Sequence, residues 1–288
     1  ACGWFAFRAL TAAPAIEQRA IAAQEHPSQH TPDAAAEPAE PDPATGTVGA
    51  APAPAAAGAP DPRGEIFTER FEQADISKRW FISDGWSNGS WMANDWRASE
   101  VEKAPHGLTI HLRKSAAGSE YELAGGEIRT HDFYRYGYFE VRMKIPRDPG
   151  LVIGMFTYAN RDGAARPNEI DIEILGRSPR VAELTIHENG RATSKNVTLP
   201  FDASEGFHNY GFDWQPGHVR WYVDGELIHQ ETGTAARRLV RPQQLLISLW
   251  ASRELKEWVG NLDTSRAPWQ LDIACVAHVP TYSGPICS

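Results

Sequence analysis

The chain has 288 residues, of which 28 are Lys or Arg and 37 are Asp or Glu, and its formal net charge is -9. This acidic balance argues against a nucleic-acid partner, because phosphate binding needs a basic surface. No run of about 18 apolar residues predicts a transmembrane helix. The length fits one domain of about 200 to 250 residues and an additional segment.

Residues 1 to 63 differ in composition from the rest of the chain. They hold ten of the 21 prolines together with long alanine runs. Such a segment buries too little apolar surface to offset its ordering entropy, which predicts a disordered leader or linker at 1–63 and one folded domain at 64–288. We expect a secreted, extracellular or periplasmic protein. Surface anchoring through the first segment, for example at Cys2, is an alternative.

From residue 65 onward, alternation of apolar and polar residues predicts many short strands. In YGYFEVRMKI, Phe139, Val141 and Met143 share one face, and Glu140 and Arg142 share the other. GLTIHLRK and QQLLISLW are further strand candidates, and Asp-Gly inside HVRWYVDGELIHQ predicts a hairpin. This pattern predicts an all-β sandwich or barrel.

The segment NEIDIEILG (168–176) places three carboxylates at alternate positions of an isoleucine-rich strand. Glu169, Asp171 and Glu173 should line one exposed face, while the isoleucines point into a core. Carboxylates in a row repel each other, so one can stay protonated as a general acid while another stays ionised as a nucleophile. On an ideal strand the Cα atoms of Glu169 and Glu173 are about 13 Å apart. Side-chain orientation and strand twist must therefore bring the two carboxyl groups to the shorter separation found in retaining glycosidases. A solvated acidic row, a calcium site and an inactive sugar-binding surface are the alternatives.

Three cysteines are present, at positions 2, 275 and 287. No CxxC or Cys/His cluster predicts zinc. Cys275 and Cys287 either pair and fix the C-terminal tail or remain two thiols.

The NEIDIEILG strand resembles the E-x-D-x-E signature of glycoside hydrolase family 16, in particular its bacterial lichenases. Further matching stretches occur in the same order across residues 66 to 272: DGWSNG, GGEIRT, YGYFEVRMK, FTY, FDASEGFHNYGFDWQPGHVRWYVDG and SLW. The resemblance implies a β-jelly-roll sandwich with a concave glycan cleft. It implies a monomeric retaining endo-β-glycanase that hydrolyses β-1,3-1,4-glucan or a related β-linked polysaccharide without a cofactor. Glu169 would be the nucleophile, Glu173 the general acid/base and Asp171 the assisting carboxylate.

The resemblance also implies the lining of the cleft and a structural calcium site. The cleft residues implied are Trp86, Asn88, Glu127, Arg129, Phe156, Tyr158 and Trp250. The calcium ligands implied are the side chain of Asp272 and the backbone carbonyls of Gly107 and Arg70. An ordinary surface role is the alternative for several of them, including a salt bridge between Glu127 and Arg129. Phe156 and Tyr158 alternate, so both should face the core or both the cleft.

The sequence departs from the family pattern along the cleft walls, at Pro167, Thr185, His187 and Ser248. His187 is predicted to lie near the catalytic strand and to bond a carboxylate or sugar, or else to be a polar strand residue without a role. A disulfide of many lichenases is replaced by Asn94 and Gly125. The substrate is therefore open, with depolymerisation of a succinoglycan-type exopolysaccharide, glucan transglycosylation and non-catalytic glycan binding as alternatives.

Overall fold

A computed structural model describes residues 64–73, 75–159 and 168–288. The predicted leader 1–63, including Cys2, and the departure at Pro167 lie outside these residues. Within them, no helix is long and apolar enough to cross a membrane.

The described chain forms a long, mainly antiparallel sheet that folds into two layers, which confirms the all-β sandwich predicted above. We call the layer that carries NEIDIEILG the front sheet, with the strand order β11-β10-β9-β8-β15-β6 and β2 beside β6. Its strands are β2 (Trp80–Ile82), β6 (Leu123–Thr130), β8 (Leu151–Tyr158), β9 (Asn168–Leu175), β10 (Val181–Glu188), β11 (Arg191–Thr198) and β15 (Gln244–Ala251).

The back sheet has the order β5-β16-β7-β12-β13-β14, with β1 beside β16 and β4 beside β5. Its strands are β1 (Phe67–Glu69), β4 (Val101–Ala104), β5 (Gly107–Lys114), β7 (Gly137–Lys144), β12 (His208–Gln215), β13 (His218–Val223), β14 (Glu226–Glu231) and β16 (Trp269–Val279). The remaining elements are short. They are β3 (Asn94–Trp96), α1 (Thr234–Arg238), α2 (Lys256–Val259) and 3-10 turns at Ile76–Lys78, Ala98–Glu100 and Thr264–Arg266.

The core lies between the two sheets and follows the alternation of the sequence. Ile170, Ile172 and Ile174 of β9 are fully buried in it, as are Phe139 and Val141 of β7. Trp221 of β13 crosses the core, and its indole Nε1 donates to the carbonyl oxygen of Asp171 at 3.1 Å. The inner face of β9 is therefore fixed against the back sheet, which leaves its other face for the acids.

The predicted hairpin joins β13 and β14 through Asp224 and Gly225. Both residues have positive φ, at 50° and 85°, as a type I′ turn requires. The strand signals in GLTIHLRK, YGYFEVRMKI and QQLLISLW likewise correspond to β5, β7 and β15.

The C-terminal tail covers part of the outer face of the back sheet. Glu140 was predicted on the face opposite the core, yet it is fully buried because the tail covers it. Its Oε1 accepts from the backbone N–H of Ile286 at 2.9 Å. Cys275 and Cys287 form a disulfide with Cα atoms 5.5 Å apart. Of the two alternatives for these cysteines, pairing is the one observed.

Asn94 and Gly125, the positions of the absent disulfide, remain neighbours. Asn94 Oδ1 accepts from the backbone N–H of Ala251 at 3.0 Å. A Cβ added to Gly125 would lie 2.6 Å from Asn94 Nδ2, so the asparagine side chain fills the space beside the glycine. A buried hydrogen bond thus ties β3 to β15 at this edge.

Candidate active site

The three acids of β9 lie on the outer face of the front sheet in an unbroken register. On β8 they face Tyr158, Phe156 and Gly154, and on β10 they face His187, Thr185 and Glu183. Because residues opposed across antiparallel strands point to the same face, each acid sits in a row of three. The rows are Tyr158–Glu169–His187, Phe156–Asp171–Thr185 and Gly154–Glu173–Glu183. Phe156 and Tyr158 therefore both lie on the face of the acids, which is the side of the predicted cleft.

The prediction of an exposed acidic row is wrong for two of the acids. Glu169 is 6% and Asp171 is 4% exposed, and only Glu173 is half-buried. The first two rows are filled on both sides by larger side chains, whereas Gly154 leaves space beside Glu173. Of the three acids, Glu173 is therefore the most exposed to solvent.

His187 reaches the central acid of the row. Its Nε2 lies 3.3 Å from Asp171 Oδ2, and its register partner is Glu169. His187 therefore lies beside β9, as predicted, whereas its predicted hydrogen bond to a carboxylate or sugar stays a prediction. Glu169, Asp171 and His187 also form a group of potential metal ligands, with one atom from each within 4.8 Å of the others.

Glu127 on β6 continues the third row across the sheet, through Ser248 of β15 and Gly154 of β8. Because Ser248 and Gly154 are small, side chains project little from the sheet between Glu127 and Glu173. Glu127 is 4% exposed and accepts from Ser83 Oγ at 2.7 Å. Burial raises the pKa of Glu127 to about 7, against the opposing effects of the Ser83 hydrogen bond and the charge of Arg129.

Arg129 lies two residues along the same strand and on the same face. Its guanidinium carbon stands 4.3 Å from the centroid of the Phe81 ring, and burial lowers the pKa of the arginine. The face of an aromatic ring attracts a cation, and the attraction is stronger when the cation is shielded from water. The pair therefore lies in a half-enclosed part of the cleft wall, unlike an exposed surface salt bridge.

Trp86 and Asn88 lie beside this wall. The Trp86 ring is 6.0 Å from that of Phe81, and Asn88 Oδ1 accepts from Trp96 Nε1 at 3.0 Å. Trp86 therefore borders Phe81, over which Arg129 lies, and Asn88 is bonded to Trp96 of β3.

Trp250 belongs to an aromatic cluster of which only Trp86 and Trp250 were predicted. Its ring meets Trp91 edge-on at 5.0 Å and lies 6.0 Å from Trp258. Among the described residues, five tryptophans share this cluster: Trp86, Trp91, Trp96, Trp250 and Trp258. Trp91, Trp96 and Trp258 were missed, although the closeness of Trp91 to SNG and of Trp258 to SLW in the sequence was a usable signal.

Glu183 was also missed. It is half-buried, and its Oε2 accepts from Trp258 Nε1 at 2.9 Å. Thr185, a departure from the family pattern, donates to Ser194 Oγ at 3.0 Å and so links β10 to β11.

The implied calcium ligands lie on the back sheet, away from the acids. Asp272 Oδ1 accepts from Thr109 Oγ1 at 2.9 Å and lies 3.2 Å from His106 Nε2, and both carboxylate oxygens are within 3.4 Å of Gln270 Nε2. Gly107 has φ +136° and lies against the backbone of Ile273, and Arg70 is exposed after β1. Calcium takes six to eight oxygen ligands, so two nitrogen groups on the carboxylate do not fit it.

Comparison with known proteins points to the same family as the resemblance noted in the sequence. The family model described as Glycosyl hydrolases family 16 matches residues 88–269. A beta-glucanase of Acetivibrio thermocellus is 35% identical over 205 residues, covering 71% of this chain but only 60% of that protein. A beta-glucanase of Paenibacillus macerans is 35% identical over 199 residues, covering 69% of this chain and 81% of the relative.

A solved structure shows the same fold. It is a prokaryotic beta-1,3-1,4-glucanase (lichenase) derived from a mouse hindgut metagenome, with a TM-score of 0.69 and 33% identity over 74% of this chain and 98% of that one. The β-jelly-roll architecture predicted above is thereby confirmed. The signature strand, the collinear match and the shared fold agree, and the chain belongs to glycosyl hydrolase family 16.

Proposed function

We propose that this chain is a retaining endo-β-glucanase that hydrolyses β-1,3-1,4-glucan. Glu169 attacks the anomeric carbon and displaces the leaving oxygen, which Glu173 protonates. Glu173 then deprotonates a water molecule, which cleaves the glycosyl–enzyme ester and returns Glu169 as a carboxylate. The observation that carries the proposal is the regular register of β9, which places all three acids on one face between matched neighbours.

The surroundings of each acid suit its role. Glu169 is nearly buried between Tyr158 and His187, where a nucleophile is shielded from water. Glu173 is more open and borders Gly154, which leaves space for a leaving group and later for water. Asp171 stands between them, and His187 Nε2 lies 3.3 Å from its carboxylate.

The cleft favours a neutral glucan over an anionic polysaccharide. Its third row carries the carboxyl groups of Glu127, Glu173 and Glu183, separated by Ser248 and Gly154. These acids can bond sugar hydroxyls, and those that are ionised would repel uronate or succinyl groups. The tryptophans at one end offer rings that can pack on the C–H faces of β-linked glucose. The names of the relatives as beta-glucanases agree with this choice.

A digestion panel tests the substrate. Barley β-glucan, laminarin and a succinoglycan-type exopolysaccharide are incubated with the protein, and the products are identified by mass. We expect short oligomers from barley glucan. Cleavage of the exopolysaccharide alone would overturn the proposed substrate. Acceptor-dependent products would indicate a transglycosylase. Binding without turnover would indicate a glycan-binding module.

Glu169→Ala tests the nucleophile. The variant should lose hydrolysis of barley glucan by at least about 10³-fold, as expected when an essential catalytic group is removed. Azide should restore turnover of an activated aryl glucoside by entering the vacated space, giving a glycosyl azide of inverted configuration. A rescued product of retained configuration would contradict the assignment.

We further propose that the protein works outside the cytoplasm, because disulfides such as Cys275–Cys287 persist in oxidising compartments. The chemistry above uses two carboxyl groups and water. A calcium ion at Asp272 forms no part of the proposal, because nitrogen groups already occupy that carboxylate.

A further inference from the structure

Glu183 on β10 stands directly across from Glu173 in the antiparallel pair with β9. Side chains opposed in this way share a face, with Cβ atoms about 4.5 to 5.5 Å apart. The proposed acid/base thus has a second carboxyl group as its neighbour on β10. On β8 its neighbour is Gly154, which has no side chain.

Trp258 of α2 fixes the position of Glu183. Its indole Nε1 donates to Glu183 Oε2 at 2.9 Å, and its ring lies 6.0 Å from Trp250 in the aromatic cluster. An indole is a neutral donor, so it orients the carboxylate without cancelling its charge.

Another acid of the same strand shows the contrast. Glu188 lies within 3.3 Å of the guanidinium of Arg238, which compensates its charge. Glu183 is held by a neutral partner on the cleft face.

Other charged or titratable groups also face Glu173 or its surroundings. They are Tyr158 on β8, Glu169 and Asp171 on β9, His187 on β10, and Glu127 and Arg129 on β6. Most of them belong to other rows, and Glu127 lies in the same row but three strands away from β9. Glu183 alone is the direct cross-strand partner on β10, so its charge acts on Glu173 at the shortest range there.

We propose that Glu183 is a positioning residue, held by Trp258, whose negative charge keeps the acid/base Glu173 protonated to higher pH in the free enzyme. The inference rests on the proposed function of Glu173. A raised pKa keeps the proton of Glu173 available for the leaving oxygen and makes the ionised form of Glu173 a stronger base toward water.

The pH dependence of kcat/KM for barley β-glucan tests this role, since it reports the ionisations of the free enzyme. Glu183→Gln keeps the size of the side chain and an oxygen for the Trp258 bond but removes the charge. We expect the basic limb to move to lower pH by roughly one unit, the size of effect that a close like charge produces. Trp258→Phe should give a smaller shift in the same direction, because the carboxylate stays but is no longer held.

The matched control is Glu226→Gln, an exposed position on β14 of the back sheet. It removes the same charge and should leave both limbs in place. On an aryl glucoside with a very good leaving group, which needs no protonation, the difference between wild type and Glu183→Gln should disappear.

An unchanged basic limb in folded Glu183→Gln on barley glucan overturns the inference. If Glu183→Gln does not fold, as judged by circular dichroism, Trp258→Phe decides in the same way. Full activity of Glu173→Gln on barley glucan would instead overturn the proposed function, so the two failures are distinguishable.

Discussion

At the scale of single residues, Glu127 shows how burial sets the charge of a cleft side chain. Its pKa is raised to about 7 by loss of water contact, so near neutral pH the carboxyl group is present in both forms. The protonated form can donate a hydrogen bond to a sugar hydroxyl, whereas the ionised form can only accept. The binding character of this wall therefore changes within the physiological pH range.

The same shift makes folding stability depend on pH. A carboxyl group whose folded pKa lies above its unfolded value stabilises the fold fully below the unfolded value, near 4.5, and this stability is lost as pH rises through about 7. The difference between these two pKa values corresponds to about 3 kcal/mol. We expect Glu127→Gln to resemble wild type in Tm at pH 4 and to exceed it at pH 8. Equal differences in Tm at both pH values would contradict the raised pKa.

Part of this site could be predicted from residues alone. Alternation in GGEIRT places Glu127 and Arg129 on one face, which the structure bears out. Their burial depends on Ser83 and Phe81, more than 40 positions earlier in the chain, and local periodicity contains no information on such contacts. For the same reason the acids of β9 were expected to be exposed.

At the scale of elements, β3 is fixed by one side chain. Asn94 Oδ1 is the acceptor for the backbone N–H of Ala251, which lies at the end of β15 near the tryptophan cluster. This hydrogen bond lies where lichenases often carry a disulfide. It couples β3, which follows the cleft residues Trp86 and Asn88, to the strand of Trp250.

We expect Asn94→Ala to lower the free energy of unfolding by about 1 to 3 kcal/mol, because a buried N–H loses its acceptor. Asn196→Ala, the same substitution at an exposed position of β11, should change it by less than about 0.5 kcal/mol. Denaturant titrations of both variants provide the measurement. Equal effects would mean that the Asn94 bond contributes nothing beyond an ordinary surface side chain.

Strands with a strong two-residue period were well predicted, and Asp-Gly marked the β13–β14 hairpin correctly. The pairing of β6 could not be predicted. Its first residues pair with β5 and its later residues with β15, so it joins the two sheets. Such pairing depends on partners distant in sequence, and a strand's own pattern does not identify them.

At the scale of the whole molecule, the back sheet stabilises a site that it does not form. The indole of Trp221 anchors the backbone of Asp171 from inside, and the C-terminal tail covers Glu140 on the outer side. The sequence predicted Glu140 as an outward-facing residue, because a two-residue period cannot show that a later segment covers that face. Layer contacts of this kind hold β9 in register, which the acidic row requires.

The back sheet should achieve this stability without calcium. Thr109, His106 and Gln270 all approach the Asp272 carboxylate, so a cation would have to displace them. Bound calcium at 100 times its Kd would stabilise the fold by about 2.7 kcal/mol, which corresponds to several degrees in Tm for a domain of this size. We expect the Tm in excess EDTA and in millimolar calcium to agree within about 2 °C. A clear rise with calcium in wild type would contradict this reading of Asp272, whereas a rise only in His106→Ala would identify the imidazole as the group that keeps the cation out.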